Sequence, residues 1–397
     1  MEDLVKVIKK MKRIFLDHNS TTPVHPEVVE AMLPYFTGKY GNPSSVHSFG
    51  RETKVALEEA REKVAKFLNA NPAEICFSGC GSESDNLAIK GIAWANQDKG
   101  KHIIASKIEH PAVIESCQWL EKQGFEVTYL PVDKYGLINP DDLRKAIRKG
   151  SILVSIMHAN NEIGTIQPIR ELARIVHEAG IYFHTDAVQS AGKIPVDVKQ
   201  LDVDLLSLSG HKLYAPKGVG VLYIKQGTKI DIWLHGGSQE RGRRSGTENI
   251  PYIVGLGKAC EIAQRDLETL SKKLNELSQT FWKKLKSSIP GIQLNGHPTL
   301  RIPNTLNISF LGCDAQSLIM ALDLQGVAVA SGAACHSGAV NPSSVLTALG
   351  VSNEVALNAI RFSFGRENFM EEVEYVAEVL AGMVEKNRNS KNSLIQK

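Results

Sequence analysis

At 397 residues the chain is long enough for one large α/β body with a smaller companion, and to bury a substantial core. Lys and Arg total 46 against 43 Asp and Glu, a formal net charge of +3; with 43% hydrophobic and 22% charged residues, this excludes disorder and argues against a nucleic-acid partner held by bulk charge. The six cysteines, Cys76, Cys80, Cys117, Cys260, Cys313 and Cys335, are too few for a disulfide scaffold of this size and do not form two CxxC pairs, so reduced thiols are expected.

The N-terminus, MEDLVKVIKKMKR, has neither an apolar h-region nor a small-residue cleavage site. No apolar run approaches the roughly 18–20 residues of a membrane span. The expectation is a cytoplasmic protein with no membrane partner.

From about residue 70 to 225, seven short aliphatic or β-branched runs alternate with helical patterns: EICFS, HIIAS, EVTYLPV, SILVSIM, IYFHTD, DLLSLS and GVGVLYI. Near-continuous apolar strands between helices predict an α/β fold with a mostly parallel sheet covered on both faces. Between Asp266 and Lys286, Leu267, Leu270, Leu274, Leu277 and Phe281 recur at helical spacing, which predicts a connecting helix with one buried face in preference to a coiled-coil seam. TLNISFL, GVAVAS and IRFSFG, followed by a closing amphipathic helix with Val373, Val376, Leu380 and Met383, predict a smaller α+β domain. The last ten residues, RNSKNSLIQK, read as a solvated tail.

Ligands of open parallel sheets gather at the carboxyl ends of strands. EICFS leads into Gly79-Cys80-Gly81-Ser82 and a helical stretch, where small residues let backbone N–H groups and the Ser82 hydroxyl approach a phosphate. The third glycine of a dinucleotide fingerprint is Ser84 here, there is no Walker lysine, and a plain tight turn is the competing reading. Cys76 and Cys80 have no second pair nearby, so no metal is expected. IYFHTDAVQS ends its strand on Asp186, and DLLSLSGHK ends on Ser209, His211 and Lys212. A carboxylate and a lysine at neighbouring strand ends beside a phosphate cradle are what a pyridoxal phosphate enzyme requires: the lysine forms the Schiff base, the acid keeps the pyridine nitrogen protonated, and the phosphate anchors the ring.

The motifs LDHNSTTPVHPEV, YGNPSSVHSFGR, SESDNLAIKG, EHPAV, HANNEIGTIQP, HTDAVQSAGKIPVDV, SLSGHKLYAPKGVGVLY, GRRSGTENIPYIVG, SGAACHSG and IRFSFGR occur in that order. Between about Ile14 and Glu385 the chain closely resembles the NifS/IscS cysteine desulfurases, class V of the fold type I pyridoxal phosphate enzymes. Residues 1 to 10 look like an extension. The resemblance implies a large cofactor-binding domain at 20–262 with a seven-stranded sheet, and a small domain at 1–19 and 263–397 that carries a catalytic cysteine loop.

It further implies that Lys212 carries pyridoxal phosphate, Asp186 pairs with the pyridine nitrogen, Gln189 bonds the ring hydroxyl, and His110 stacks on the ring and takes part in proton transfer. Gly81, Ser82, Ser209 and His211 are implied phosphate ligands, joined by Thr247 from the partner subunit of a homodimer. Asn161 and Arg361 are implied to bind the substrate, with the guanidinium fork on its α-carboxylate. Cys335 is the implied nucleophile, on a small-residue stretch suited to a mobile loop, with His336 and His110 as cations that would favour its thiolate. L-cysteine would yield L-alanine and a persulfide on Cys335, passed to an iron–sulfur scaffold or another acceptor protein. The long interval between Cys335 and Arg361 resembles the NifS/IscS group, not the short-loop group. Three departures stand out: His336 where Ser or Thr is frequent, Ala215 for the usual glycine of the lysine motif, and Cys80-Gly81 at the cradle, where Cys80 is expected simply to pack. The AACHS version of the loop also occurs in selenocysteine lyases, which makes selenocysteine the alternative substrate.

Overall fold

The computed structural model describes residues 13–331, 334–336 and 339–395, with side chains for 13–331 and 341–389. Strand β1 (Ile14–Phe15) comes first, followed by β2 (Ile75–Ser78), β3 (His102–Ser106), β4 (Glu126–Leu130), β5 (Ser151–Ser155), β6 (Tyr182–Asp186), β7 (Leu205–Ser209) and β8 (Gly220–Ile224). Strands β2 to β8 correspond to the seven apolar runs and form one sheet in the order β2-β8-β7-β6-β5-β3-β4. All neighbours are parallel except β8, which is antiparallel to both β2 and β7. Strands β2, β3, β7 and β8 are buried at every position, which is why they read as unbroken apolar runs and do not alternate.

The two faces of this sheet support two cores. Phe77, Ile104, Val154, Phe183, Leu206 and Val221 point into one, beneath the helices Ser48–Leu68 and Ile169–Glu178. Cys76, Ile103, Leu153, Leu205 and Leu222 point into the other, beneath Gly81–Ala95 and Pro111–Glu121.

The remaining strands are β9 (Ile292–Asn295), β10 (Thr305–Phe310), β11 (Val327–Ala328), β12 (Ala330–Ser331), β13 (Ala334–His336), β14 (Ala339–Asn341) and β15 (Ala359–Ser363); a further core forms around β10, β11 and β15, and β13 with β14 makes a separate two-stranded ribbon. An antiparallel sheet of order β12-β15-β10-β9 places Phe362 against both Phe281 and Phe310, with ring centroids 4.9 Å and 6.4 Å away. The run GVAVAS, read as one strand, is two: β11 pairs in parallel with β1, and β12 turns away to pair with β15.

The helix expected over 266–286 is the second half of a 39-residue helix, Ile250–Ser288. Its second half buries Leu270, Leu274, Leu277 and Phe281 against the smaller sheet's core, so the apolar stripe is a covered face and not a coiled-coil seam. The first half buries Ile250, Ile253, Leu256 and Cys260 in one core of the large sheet and approaches Ser48–Leu68 closely at Gly257. A Cβ on Gly257 would lie 2.8 Å from the Cα of Ala60 in Ser48–Leu68. The division expected between 262 and 263 falls inside this helix, which runs from one core into the other.

Candidate active site

The strand ends of the large sheet set the site. Strand β7 stops at Ser209 and continues in a single tight turn, Gly210–Lys212. A Cβ at Gly210 would lie 2.8 Å from Val219 Cγ1, so only glycine allows the turn to fold back under β8. The N-terminal segment straps the turn down. Thr22 N–H and its hydroxyl both donate to the His211 carbonyl, and Tyr214 N–H donates to Thr22 Oγ1. Lys212 Nζ donates to the carbonyls of Asn19 and Ser20. Burial is the main cause that brings the Lys212 amine down to about 8, with Arg361 adding to it.

One strand over, Asp186 ends β6 and accepts a hydrogen bond from Val188 N–H at 2.8 Å. Burial holds its carboxyl above the usual range, while His110 and Lys212 pull it down. Behind it His184 lies between Ser155 Oγ at 2.9 Å and Ser207 Oγ at 3.0 Å, a neutral imidazole that burial pushes down to about 3. Gln189 donates from Nε2 to the Asn19 carbonyl at 3.0 Å, and its buried Oε1 has no partner among the described residues. His110 caps Pro111–Glu121, its Nδ1 accepting from Ala112 N–H at 3.1 Å, which leaves the proton of the neutral ring on Nε2. Burial lowers its pKa.

After β2 the chain enters Gly81–Ala95 through Cys80, whose sulfur accepts from Glu83 N–H. Ser78 and Ser84 hydroxyls bond at 2.7 Å beneath this turn. A Cβ on Gly81 would sit 3.0 Å from Val188 Cγ2 and 3.2 Å from Ser209 Cβ, so the glycine keeps the helix start open. Arg244 lies nearby but is committed to Glu83, with Nε 2.7 Å from Oε1.

Arg361 comes from the smaller sheet, on β15, beside Asn307 and Ala330. It donates to the Asn161 carbonyl at 3.1 Å, to Asp17 Oδ1 at 2.8 Å and to Ser20 Oγ at 2.9 Å, and its buried Nε has no partner among the described residues. Asn160 fixes the loop that presents Asn161 by accepting from Glu162 N–H and Ile163 N–H.

These elements enclose a cavity of about 330 Å³. At one end it is lined by Gly81, Ser82, Ser209 and His211; at the centre by His110, Asp186, Gln189 and Lys212; at the other end by Asn161 and Arg361. Thr247 is exposed and does not line it. The Cys335 and His336 side chains lie outside the described residues, although the backbone of β13 pairs Cys335 with Val340 of β14.

The aminotransferase class-V family matches residues 14–376. A cysteine desulfurase IscS from Methanosarcina thermophila is 55% identical over 95% of this chain and 93% of its own. One from Dictyoglomus turgidum is 53% identical over 95% and 96%. Among solved structures, a NifS-like protein superposes with a TM-score of 0.89 at 39% identity, covering 94% of this chain and all of the other. A structure described as SspA in complex with cysteine does so at 0.78 and 37%, covering 88% and 98%.

The chain belongs to the cysteine desulfurases of the class V aminotransferase family. It is a fold type I enzyme that works with pyridoxal phosphate. The cavity fits that group on its own terms. An open helix start with neutral donors suits a phosphate, a buried carboxylate suits a protonated ring nitrogen, and Gln189 Oε1 and Arg361 Nε are buried polar atoms still without partners.

Residues that sequence reasoning left without a role also line the cavity: Asn19, Ser20, Cys80, Asp85, Met157 and Val188. Cys80 is exposed at the cavity wall, where it caps the helix Gly81–Ala95. Asp85 is buried, with one carboxylate oxygen unpartnered 3.7 Å from His184 Nε2. Only its position, one helical turn past the cradle, hinted at this.

Proposed function

We propose that the chain converts L-cysteine to L-alanine and carries the released sulfur as a persulfide on Cys335 to an acceptor protein, such as an iron–sulfur scaffold. The observation that carries this reading is the single cavity that brings Lys212 and Asp186 from the large sheet together with Arg361 from the small one. Pyridoxal phosphate, when bound, supplies an electron sink that weakens bonds at the α and β carbons of an amino acid. Asp186 holds the ring nitrogen's proton, Gln189 bonds the ring hydroxyl, His110 covers the ring face, and Gly81, Ser82, Ser209 and His211 receive the phosphate.

Arg361 and Asn161 hold the substrate carboxylate, which fixes the α carbon above Lys212. With its amine near 8, Lys212 gives up and regains a proton at neutral pH, as movement of the α proton demands. The Cys335 thiolate then attacks the substrate sulfur. The S–S bond forms as the Cβ–S bond breaks, the bonding pair stays with the carbon skeleton, and a proton takes the place of sulfur there to complete L-alanine. The base of the Cys335 segment supports this delivery, because β12 is bonded to β15 beside Arg361 itself.

The same reading assigns residues 20–262 to a cofactor domain and 1–19 with 263–397 to a small domain, places the protein in the cytoplasm, and makes the active form a homodimer. Thr247, exposed and away from the cavity of its own chain, is then free to reach the phosphate of the partner. Mass spectrometry of the protein after incubation with L-cysteine tests the proposal: one added sulfur on Cys335 is expected, with alanine in equal amount. Unchanged alanine formation by Cys335→Ala would overturn the role given to that cysteine.

A further inference from the structure

Asn19 is buried to 1% exposure and meets both halves of the site at once. Its backbone N–H donates to Ser363 Oγ at 2.9 Å. Its side-chain Nδ2 donates to the Asn161 carbonyl at 3.0 Å and to Thr305 Oγ1 at 2.8 Å, and its Oδ1 accepts from Asn304 Nδ2 at 3.0 Å. Every polar atom of its side chain is therefore committed to the small sheet or to the Asn161 loop. Its backbone carbonyl faces the other way and accepts from Gln189 Nε2 and from Lys212 Nζ, while the next carbonyl, of Ser20, accepts from Lys212 at 2.5 Å.

We propose that Asn19 is a positioning residue: anchored by its side chain, it presents the Asn19 and Ser20 carbonyls as a resting dock for the Lys212 ammonium whenever that lysine is not bonded to the cofactor. A lysine that leaves the cofactor when substrate arrives needs a place to wait within reach of the α carbon, and two fixed carbonyl oxygens supply it. Through the Asn161 carbonyl, which also accepts from Arg361, the same residue couples the dock to the carboxylate clamp. This inference rests on the assignment of Lys212 as the cofactor lysine.

The dock stabilises the charged amine by hydrogen bonding, against burial, which opposes it. The other charges that face Lys212 are Asp17 and Asp186, which favour the ammonium, and Arg361, Lys193 and Lys217, which oppose it; His110 and His211 are also close. Loosening the dock while leaving these in place shifts Lys212 further down. Unfolding would shift it up, toward the ordinary lysine value near 10.4. The direction of the change thus separates a dock from a merely structural residue.

The test uses the full chain freed of cofactor, with the pH dependence of Lys212 acylation by a small reagent read by mass spectrometry. Asn19→Ala is expected to move the midpoint about one pH unit below wild type, a tenfold change in the fraction of free amine at a given pH in the rising limb. Thr305→Val, which removes one acceptor of Asn19 Nδ2, is expected to move it the same way by less. In the reconstituted enzyme, kcat falls about ten- to a hundredfold, as misplacement of a reacting group does. A midpoint that stays at the wild-type value, or rises, in both variants overturns the dock. Borohydride reduction of the reconstituted enzyme that fixes the cofactor to a lysine other than Lys212 would instead overturn the assignment on which it rests.

Discussion

Replacing Arg361 with lysine keeps one positive charge in the cavity but removes the planar fork. In the native site one terminal nitrogen donates to the Asn161 carbonyl and the other to Asp17 and Ser20, which orients the guanidinium so that the unpartnered Nε–H is left for a ligand. A carboxylate that binds side-on to this fork takes two charge-assisted hydrogen bonds; an ammonium offers a point charge and no fixed plane. Loss of one such bond costs about 1.5–3 kcal/mol, which corresponds to a fall of about ten- to a hundredfold in kcat/KM. Because the carboxylate is gripped in both the ground state and the transition state, most of the loss belongs in KM. Alanine production by Arg361→Lys across a range of L-cysteine concentrations measures this split. A kcat/KM within about threefold of wild type, or a fall in kcat with KM unchanged, would refute the assignment of Arg361 as the carboxylate clamp.

Two further outcomes follow from buried charge. Arg61 and Glu240 form a bidentate pair, both contacts 2.8 Å, with side chains only 3% and 2% exposed, and Glu240 also accepts from Phe77 N–H; Glu240→Ala leaves the buried guanidinium with only Glu58 at 3.3 Å and the Ile75 carbonyl, and is expected to cost about 3 kcal/mol in urea unfolding, with a loss below about 1 kcal/mol counting against it. Lys193 is buried beneath the site, bonded among the described residues only to the Gln189 carbonyl, and burial lowers its amine to about 7 from an ordinary 10.5. Since the unfolded chain binds this proton more readily, the cost to the folded state is complete below about pH 7 and disappears as the pH rises toward 10.5. Lys193→Met should therefore raise the melting temperature most at or below pH 7 and least near pH 10, and a gain that grows with pH would contradict the argument.

The large sheet was legible because its strands are buried on both faces, so their sequences are continuous apolar runs. Strand β9 was not, because IQLN lies at a sheet edge with a partly exposed, alternating pattern. The first half of Ile250–Ser288 was harder to read because Gly255 and Gly257, poor helix formers, interrupt its buried stripe of Ile250, Ile253, Leu256 and Cys260. In the site, Lys212, Asp186 and the Gly81-Ser82 cradle followed from their places at strand ends. Arg361 and Asn161 came only from resemblance to a family, since nothing local distinguishes a clamp arginine on a buried strand. Asn19 drew no attention because its partners, Asn161, Gln189, Lys212, Thr305 and Ser363, are distant in sequence and meet it only in the fold.

The distribution of charge along the cavity explains how an amino acid enters it in one orientation. At the cradle the donors are neutral: the hydroxyls of Ser82 and Ser209, the N–H groups at the start of Gly81–Ala95, and His211, which burial keeps uncharged by lowering it to about 4. The nearby cation, Arg244, is already matched by Glu83. A phosphate there is met by dipoles, worth about half an elementary charge at a helix start. At the centre Lys212 is turned toward the Asn19 and Ser20 carbonyls, and at the far end Arg361, although paired with Asp17 at 2.8 Å, keeps Nε free among the described residues. On the proposed reading, a substrate carboxylate binds at the free Nε of Arg361, beside the strand that leads to Cys335, and its amino group faces Lys212. Neutral dipoles at the cradle and a directed guanidinium at the far end then set, on that reading, which end of the substrate faces the Cys335 segment.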